Sequence, residues 1–275
     1  MKPSTTFCIA ACFVVAVPLQ GQIQQTHNHL YDRFQFSLSG TQVWLGSNMR
    51  VDASDGSPGT EFSSDDIGAS KRTWEPRFAL RWKPGRRHEL ELGYLFARSS
   101  GSRVLRDTIY FADTSFARGM EVHSKLKSDQ GFLTYRYAFH AAPRSQIGLA
   151  LGLGALFVDI GLRNADTALV PISVSRDVIG PTGSLGLFGR WQVGDHWYVE
   201  SDARGLYAKI DRISATVYEA GAAGRYFTSR HVGFELGYGL TWIKVTLDPR
   251  SGGGGFSGLL RYSLQNARLA VVLTQ

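Results

Sequence analysis

The stretch QIGLALGLGALFVDIGLR, residues 146–163, decides the fold. In its first half Ile147, Leu149, Leu151 and Leu153 alternate strictly with glycine or alanine. A period of two is typical of a β-strand, because successive side chains of a strand point to opposite faces. One face of this strand is therefore broad and apolar, and the other is nearly bare. The function of the chain depends on which medium each face meets.

The same alternation recurs along the chain and predicts about ten strands. They cover 33–47, 73–83, 88–98, 122–139, 146–162, 178–192, 197–209, 214–227, 231–246 and 255–274. In the last of these the apolar positions change phase near Asn266 and Ala267, which indicates a β-bulge or a turn. We favour the bulge, because it keeps the number of strands even.

The connections between these strands fall into two classes. Short turns carry the sequences KPGRRH, HAAPRSQ, VGDH and TSRH, whereas the segments 48–72, 99–121, 163–177 and 247–254 are long and polar or glycine-rich. Short turns at one end and long loops at the other are typical of an outer-membrane barrel. One short connection near Asp211 departs from this pattern. The sequence thus predicts an all-β, antiparallel up-and-down transmembrane β-barrel of about ten strands, with eight or twelve as alternatives.

The first residues have the order of an export signal. Lys2 is followed by the apolar run Phe7–Leu19, which is too short to span a bilayer. We predict a cleaved signal peptide at 1–21, a periplasmic lead-in at 22–32 and a barrel domain at 33–275. The protein is then expected in the outer membrane.

Composition narrows the function further. Cys8 and Cys12 both lie in the predicted signal peptide, so the mature chain is expected to form no disulfide and no thiolate site. The formal net charge of +7 favours an anionic partner. Because an exported chain rarely meets nucleic acid, we expect anionic lipid head groups instead. No sequence motif predicts a cofactor or a metal ion.

Aromatic residues flank every short turn, as an interfacial girdle of a barrel requires. The predicted girdle consists of Trp82, Tyr137, Phe139, Trp191, Trp197, Tyr226 and Phe227.

The face opposite the large apolar residues carries equal numbers of acids and arginines, which we predict to line the lumen. The set is Glu75, Arg77, Arg81, Glu89, Glu91, Arg136, Arg190, Glu200, Asp202, Arg204, Glu219, Arg225, Glu235 and Arg261. Buried charges must be paired, and guanidinium groups pair carboxylates well. The glycines of this face would give room for the long side chains. A balanced set in a narrow barrel indicates a lumen filled by its own side chains rather than a selective pore.

These features resemble the small outer-membrane β-barrel proteins of Gram-negative bacteria, the OmpA-like and opacity-type barrels. The resemblance covers Phe34–Leu273 and rests on stretches such as RHELELGYLFARSSGSR (87–103), LTYRYAF (133–139) and YFTSRHVGFELGYG (226–239). It implies insertion by the barrel-assembly machinery, contact with outer-membrane lipid including lipopolysaccharide, and a structural or adhesive role. What the loops bind is not implied.

Some barrels of this kind modify lipid A, so an enzyme is one alternative. His123 and the adjacent Ser124 are the residues best placed for it, but neighbours on a strand point to opposite faces. Glu61, Asp65 and Asp66 could hold calcium in the first loop, although acidic loop tips are more often simply solvated. The sequence therefore predicts a non-enzymatic outer-membrane barrel with a charge-filled lumen, with a narrow diffusion channel as first alternative and a lipid A-modifying enzyme as second.

Overall fold

The computed structural model describes residues 27–53, 55–164, 172–210, 213–247 and 258–275. The predicted signal peptide at 1–21 and the beginning of the predicted lead-in lie outside the described residues. Within the described part of the chain, no helix is long and apolar enough to cross a membrane.

A short 3₁₀ turn at His29–Tyr31 precedes fourteen strands. In chain order the strands are β1 (Phe34–Val51), β2 (Phe62–Ser63), β3 (Arg72–Trp82), β4 (His88–Leu95), β5 (Arg98–Val104), β6 (Ile109–Phe111), β7 (Thr114–Phe116), β8 (Glu121–Ala142), β9 (Ser145–Asn164), β10 (Ser173–Gln192), β11 (Trp197–Ile210), β12 (Ile213–Phe227), β13 (Val232–Leu247) and β14 (Gly258–Thr274).

Ten of the strands of the described residues form the wall of a closed antiparallel ring. The order is β1, β3, β4, β8, β9, β10, β11, β12, β13 and β14, and β14 pairs again with β1 from Thr274 opposite Gln35 to Gly258 opposite Val51. After β4 ends, β5 continues the same wall position against β8. The predicted architecture and strand number are confirmed. Because β14 pairs with β1, the first and last strands of the sheet have no free edge.

The outer face of the ring is apolar in a band next to the short turns. On β9, Leu149 is 47% and Leu153 57% exposed, whereas Gly152 between them faces inward and is buried. Further along the same outward face come the charged Asp159 and Arg163. The band therefore covers about eleven residues per strand, which is the length that a tilted strand needs to cross the hydrocarbon core.

On the long-loop side of the apolar band, the interior of the ring is apolar. Inward side chains of the wall pack there with residues of the connections between β1 and β8, among them the fully buried Ile67, Phe111 and Phe116. The wall contributes Val43, Leu45, Met49, Val51, Leu126, Leu156, Val158, Ile160, Leu162, Val217, Ile243, Val245, Leu260, Tyr262 and Leu264. We call these wall and connection side chains together the apolar plug. It has the character of the core of a water-soluble domain.

The predicted bulge near Asn266 and Ala267 is wrong. β14 pairs in unbroken register with both β1 and β13. The apolar residues change phase because the medium inside the ring changes, so that Leu264 points into the apolar plug and Leu269 points out to lipid. A register shift occurs instead in β8, between Ala138 and His140.

One seam of the wall is paired over part of its length. β10 and β11 pair only from Leu185 opposite Gly205 to Gln192 opposite Tyr198, although β10 begins at Ser173 and β11 ends at Ile210. Pro181 lies in the unpaired part of β10 and has no N–H to give to a ladder. The unpaired part of β10 begins at Ser184, opposite Gly152 of β9, so the seam opens within the apolar band and continues to the long-loop side.

Candidate functional site

Three glutamates form the centre of an ion-pair network in the half of the interior next to the short turns. Arg81 contacts all of them: its Nε lies 3.2 Å from Glu89, Nη2 2.8 Å from Glu91 and Nη1 3.1 Å from Glu200. Each of these four side chains is nearly inaccessible to solvent. They come from β3, β4 and β11, so the network joins distant parts of the ring.

Two further arginines complete the centre. Arg136 Nη1 lies 2.7 Å from both Glu89 and Glu91. Arg190 pairs with Glu89, and its Nε lies 3.0 Å from Glu200. Each carboxylate therefore contacts more than one guanidinium group, which offsets the cost of removing these charges from water.

Smaller clusters extend this centre along the interior. Glu235 accepts from Arg225 and Arg268, both at 2.6 Å, and Arg225 also lies 3.3 Å from Glu200. Arg204 pairs with Asp202 at 3.1 Å, and it contacts Glu219 as well.

The inward glycines give these long side chains their room. A Cβ atom on Gly152 would lie 2.5 Å from Ser184 Oγ and 2.8 Å from Arg204 Nη1. One on Gly237 would lie 2.7 Å from Arg268 Cζ. Such distances are shorter than van der Waals contact, so a larger residue would displace the charged side chain.

The structure places most of the predicted lumen residues in this network. Those joined by ion pairs are Arg77, Arg81, Glu89, Glu91, Arg136, Arg190, Glu200, Asp202, Arg204, Glu219, Arg225 and Glu235. Glu75 lies on the inward phase, but it accepts the backbone N–H of Arg98 and takes no part in the network.

Arg261 was assigned wrongly. It points outward and pairs with Glu61 at 2.9 Å on the exposed surface. The assumed bulge reversed the phase of the first part of β14, where Arg261 lies. Arg268, beyond it, points inward and is not among the predicted lumen residues. Lys83, which lies where the predicted strand 73–83 meets the turn KPGRRH, is not among the predicted lumen residues; it is buried and lies 3.4 Å from Glu89.

With Lys83 and Arg268 included and Arg261 and Glu75 left out, cations outnumber carboxylates in the interior, so the predicted equality does not hold. A polar cavity of about 120 Å³ lies among the side chains of the network and is lined by residues such as Arg77, Asp202 and Arg225, together with Asn266. Its polar lining and its size allow it to hold water.

The lead-in closes the mouth of the ring next to the short turns. Leu30 is buried with Tyr198, Phe227 and Val272. Lys83 Nζ donates to the Leu30 carbonyl, and Tyr31 Oη donates to the Ala142 carbonyl at 2.6 Å. We call residues 27–32 the mouth segment.

Phe227 is therefore not a girdle residue, since it is only 1% exposed and stacks on His29 inside the mouth. The other predicted girdle residues lie on the outer phase of their strands near the short turns. They are Trp82, Tyr137, Phe139, Trp191, Trp197 and Tyr226.

Asp32 anchors the mouth segment. His27 Nε2 lies 2.6 Å from its Oδ1, and His29 Nδ1 lies 2.8 Å from its Oδ2. Burial alone would raise the pKa of the Asp32 carboxyl, but hydrogen bonds from His29 and His27 outweigh it and the pKa is lowered. The sequence HNHLYD (27–32) places the three residues close together, but no motif in it predicts their role.

The residues considered for catalysis and calcium do not assemble a site. His123 faces outward, whereas Ser124 is buried on the inner face and donates to the Gly101 carbonyl. Asp65 pairs with Lys71 at 2.6 Å, and Asp66 accepts from Ser63 at 2.7 Å.

A closed ring with an apolar outer band and an ion-paired interior defines the class of the protein, a transmembrane β-barrel of the outer-membrane type. No protein-family model matches the chain, and no curated protein matches its sequence.

Solved outer-membrane proteins are similar in structure. The transport unit of the autotransporter AIDA-I from Escherichia coli has a TM-score of 0.42 and 7% identity, over 93% of each chain. The toluene transporter TbuX of Ralstonia pickettii has a TM-score of 0.38 and 11% identity, over 88% of this chain and 90% of its own. OprG from Pseudomonas aeruginosa has a TM-score of 0.36 and 11% identity, over 89% and 97%.

Proposed function

We propose that the protein is a non-enzymatic outer-membrane barrel with a closed interior, which acts through its outer surface and its extracellular loops. The observation that supports this most directly is the filling of the interior at successive levels. The mouth segment covers one end, the ion-pair network fills the membrane-spanning half, and the apolar plug fills the rest.

The diffusion channel is less well supported. A conducting lumen needs a continuous hydrated path lined with groups that ions can leave again. Phe111 and Phe116 are fully buried within the apolar plug, and Arg136 and Arg190 are held by more than one carboxylate below it.

Planar-bilayer recording tests the closed lumen. We expect the wild-type barrel to give no steady openings. As a matched variant, replacement of 107–118 by a short glycine-serine linker removes β6 and β7 and should raise leak at most slightly, because the network stays below it. Steady, reproducible openings of the wild-type protein would favour the channel and contradict the proposal.

The lipid A-modifying enzyme is disfavoured by the opposite orientation of His123 and Ser124. We expect His123→Ala and Ser124→Ala each to leave the mass of lipid A unchanged in cells that express the barrel. A mass change that depends on the wild-type protein and is lost in either variant would establish the enzyme.

The outer surface supports a lipid partner. Just beyond the apolar band, the outward residues Arg98, Lys125 and Arg163 carry cations, and Lys127 pairs there with Asp159 at 3.6 Å. Phosphate groups of lipopolysaccharide suit such a surface, because guanidinium and ammonium groups bind phosphate strongly. We also propose that the barrel-assembly machinery inserts the protein into the outer membrane.

A further inference from the structure

We propose that His27, His29 and Asp32 bind one divalent transition-metal ion, best matched by Zn²⁺, at the periplasmic mouth of the barrel. The ligands would be His27 Nε2, His29 Nδ1 and one oxygen of Asp32. These atoms all lie within 4.8 Å of one another. Two imidazoles and a carboxylate with an open fourth position are a ligand set that zinc takes in proteins.

The charge of Asp32 favours a cation at this point. Its side chain is inaccessible to solvent, and its ion-pair contacts among the described residues are His27 and His29. Hydrogen bonds join this carboxylate to both imidazoles, so one charged oxygen ligand lies beside two imidazole nitrogens. A divalent cation would be attracted by that negative charge.

The surroundings hold the ligands in place. The ring of His29 stacks on Phe227 with 3.7 Å between centroids and an angle of 8°. The backbone N–H of His29 donates to Tyr198 Oη at 3.2 Å, and Asn28 Nδ2 donates to the Pro143 carbonyl at 2.5 Å. The stacking orients the His29 ring, and the two hydrogen bonds fix the backbone of the mouth segment that carries the ligands.

The His27, His29 and Asp32 cluster is accessible to an ion from solvent. The side chain of His27 is 38% exposed, so an ion from the periplasm can reach the cluster and a water molecule can fill the fourth position. On binding, the ring proton of His27 would move from Nε2 to Nδ1 and that of His29 from Nδ1 to Nε2 by exchange with water, so that the freed nitrogens and the carboxylate bind the metal in place of their hydrogen bonds to one another. The ion would fasten the mouth segment across the opening.

Zinc titration by calorimetry tests the proposal, with tag-free wild-type protein folded in detergent. We expect one zinc ion per chain, and a visible absorption typical of four-coordinate Co²⁺ when cobalt replaces zinc. His27→Ala removes an exposed ligand, and Asp32→Asn keeps the shape of the carboxylate without its charge. Each of these substitutions should weaken zinc binding by about 10- to 100-fold.

His140→Ala and His196→Ala are the controls, because both histidines lie at the same end of the barrel outside the cluster. The heat-dependent shift of the band in gel electrophoresis verifies that each variant is a folded barrel. A wild-type protein that takes up no zinc would overturn the proposal. So would a folded His27→Ala variant that binds zinc as the wild type does, or control variants that lose binding equally.

Discussion

Arg136 shows what one buried side chain contributes to this interior. It contacts Glu89 and Glu91 at 2.7 Å each and is only 4% exposed. Arg136→Leu would leave these carboxylates with fewer partners in a region that water hardly reaches. We expect the free energy of unfolding in detergent, measured with urea, to fall by about 3–5 kcal/mol.

Arg163→Leu on the exposed outer face is the control for Arg136 and should change the free energy of unfolding by less than about 0.5 kcal/mol. If both variants unfold at the same urea concentration as the wild type, the network does not stabilise the barrel.

Gly152 provides a second prediction at the scale of the residue. Gly152→Val would push against Ser184 and Arg204, and we expect a loss of about 1–3 kcal/mol in the free energy of unfolding. Gly40 is the matched control, because a Cβ atom there meets nothing within 4 Å. Gly40→Val should therefore be neutral in the same urea titration. A larger loss for Gly40→Val than for Gly152→Val would contradict the inward role of Gly152.

At the scale of the element, the alternation of β9 predicts both the strand and its orientation. Ile147–Leu153 carry large residues on the lipid face, as the sequence indicates. From Leu156 to Leu162 the large residues lie on the other face, because the interior becomes apolar there. The sequence shows this change of phase, but local patterning alone does not separate a change of medium from a bulge.

The same ambiguity explains the errors in β14. Leu260, Tyr262 and Leu264 are apolar and inward, whereas Leu269 and Val271 are apolar and outward. A change of medium and a bulge can be told apart only when the depth of each residue relative to the membrane is known. That depth depends on the neighbouring strands and on loop residues that enter the ring, such as Phe111. The fold could thus be predicted from single strands, and the apolar plug and the mouth segment could not.

An arginine scan along the outer face locates the membrane boundary. Leu151→Arg puts a charge in the apolar band, where we expect a loss of about 2–4 kcal/mol in the free energy of unfolding in lipid vesicles. Ser175→Arg, which lies outward and beyond the band, should change it by less than about 0.5 kcal/mol. Equal effects at the two positions would show that the band does not mark the hydrocarbon core.

At the scale of the whole molecule, the barrel has two halves of opposite polarity, and the same strands run through both. The half next to the short turns is apolar outside and ionic inside, which suits a membrane. The other half is charged outside and apolar inside, which suits water. Because β8 and β9 run through both halves, the apolar plug and the ion-pair network hold one continuous wall. The closed interior that we propose would follow from this arrangement rather than from any single obstruction.

Closure between the first and last strands is the condition for all of this, and cross-linking tests it. Leu38 lies opposite Val271 in the β1 and β14 ladder, and both side chains point to lipid. In a chain with Cys8 and Cys12 replaced by alanine, Leu38→Cys with Val271→Cys should form a disulfide under mild oxidation, because facing Cα atoms in a sheet lie within disulfide range. Oxidised protein should then migrate differently from reduced protein after full denaturation.

The control for closure pairs Leu38→Cys with Phe234→Cys. Phe234 lies opposite Val271 on β13, one strand further from β1, so the two Cα atoms should be about 10 Å apart. That distance exceeds what a disulfide can bridge. A ring that is open between β1 and β14 would leave Leu38→Cys with Val271→Cys unlinked as well, and the interior would then need another explanation for its paired charges.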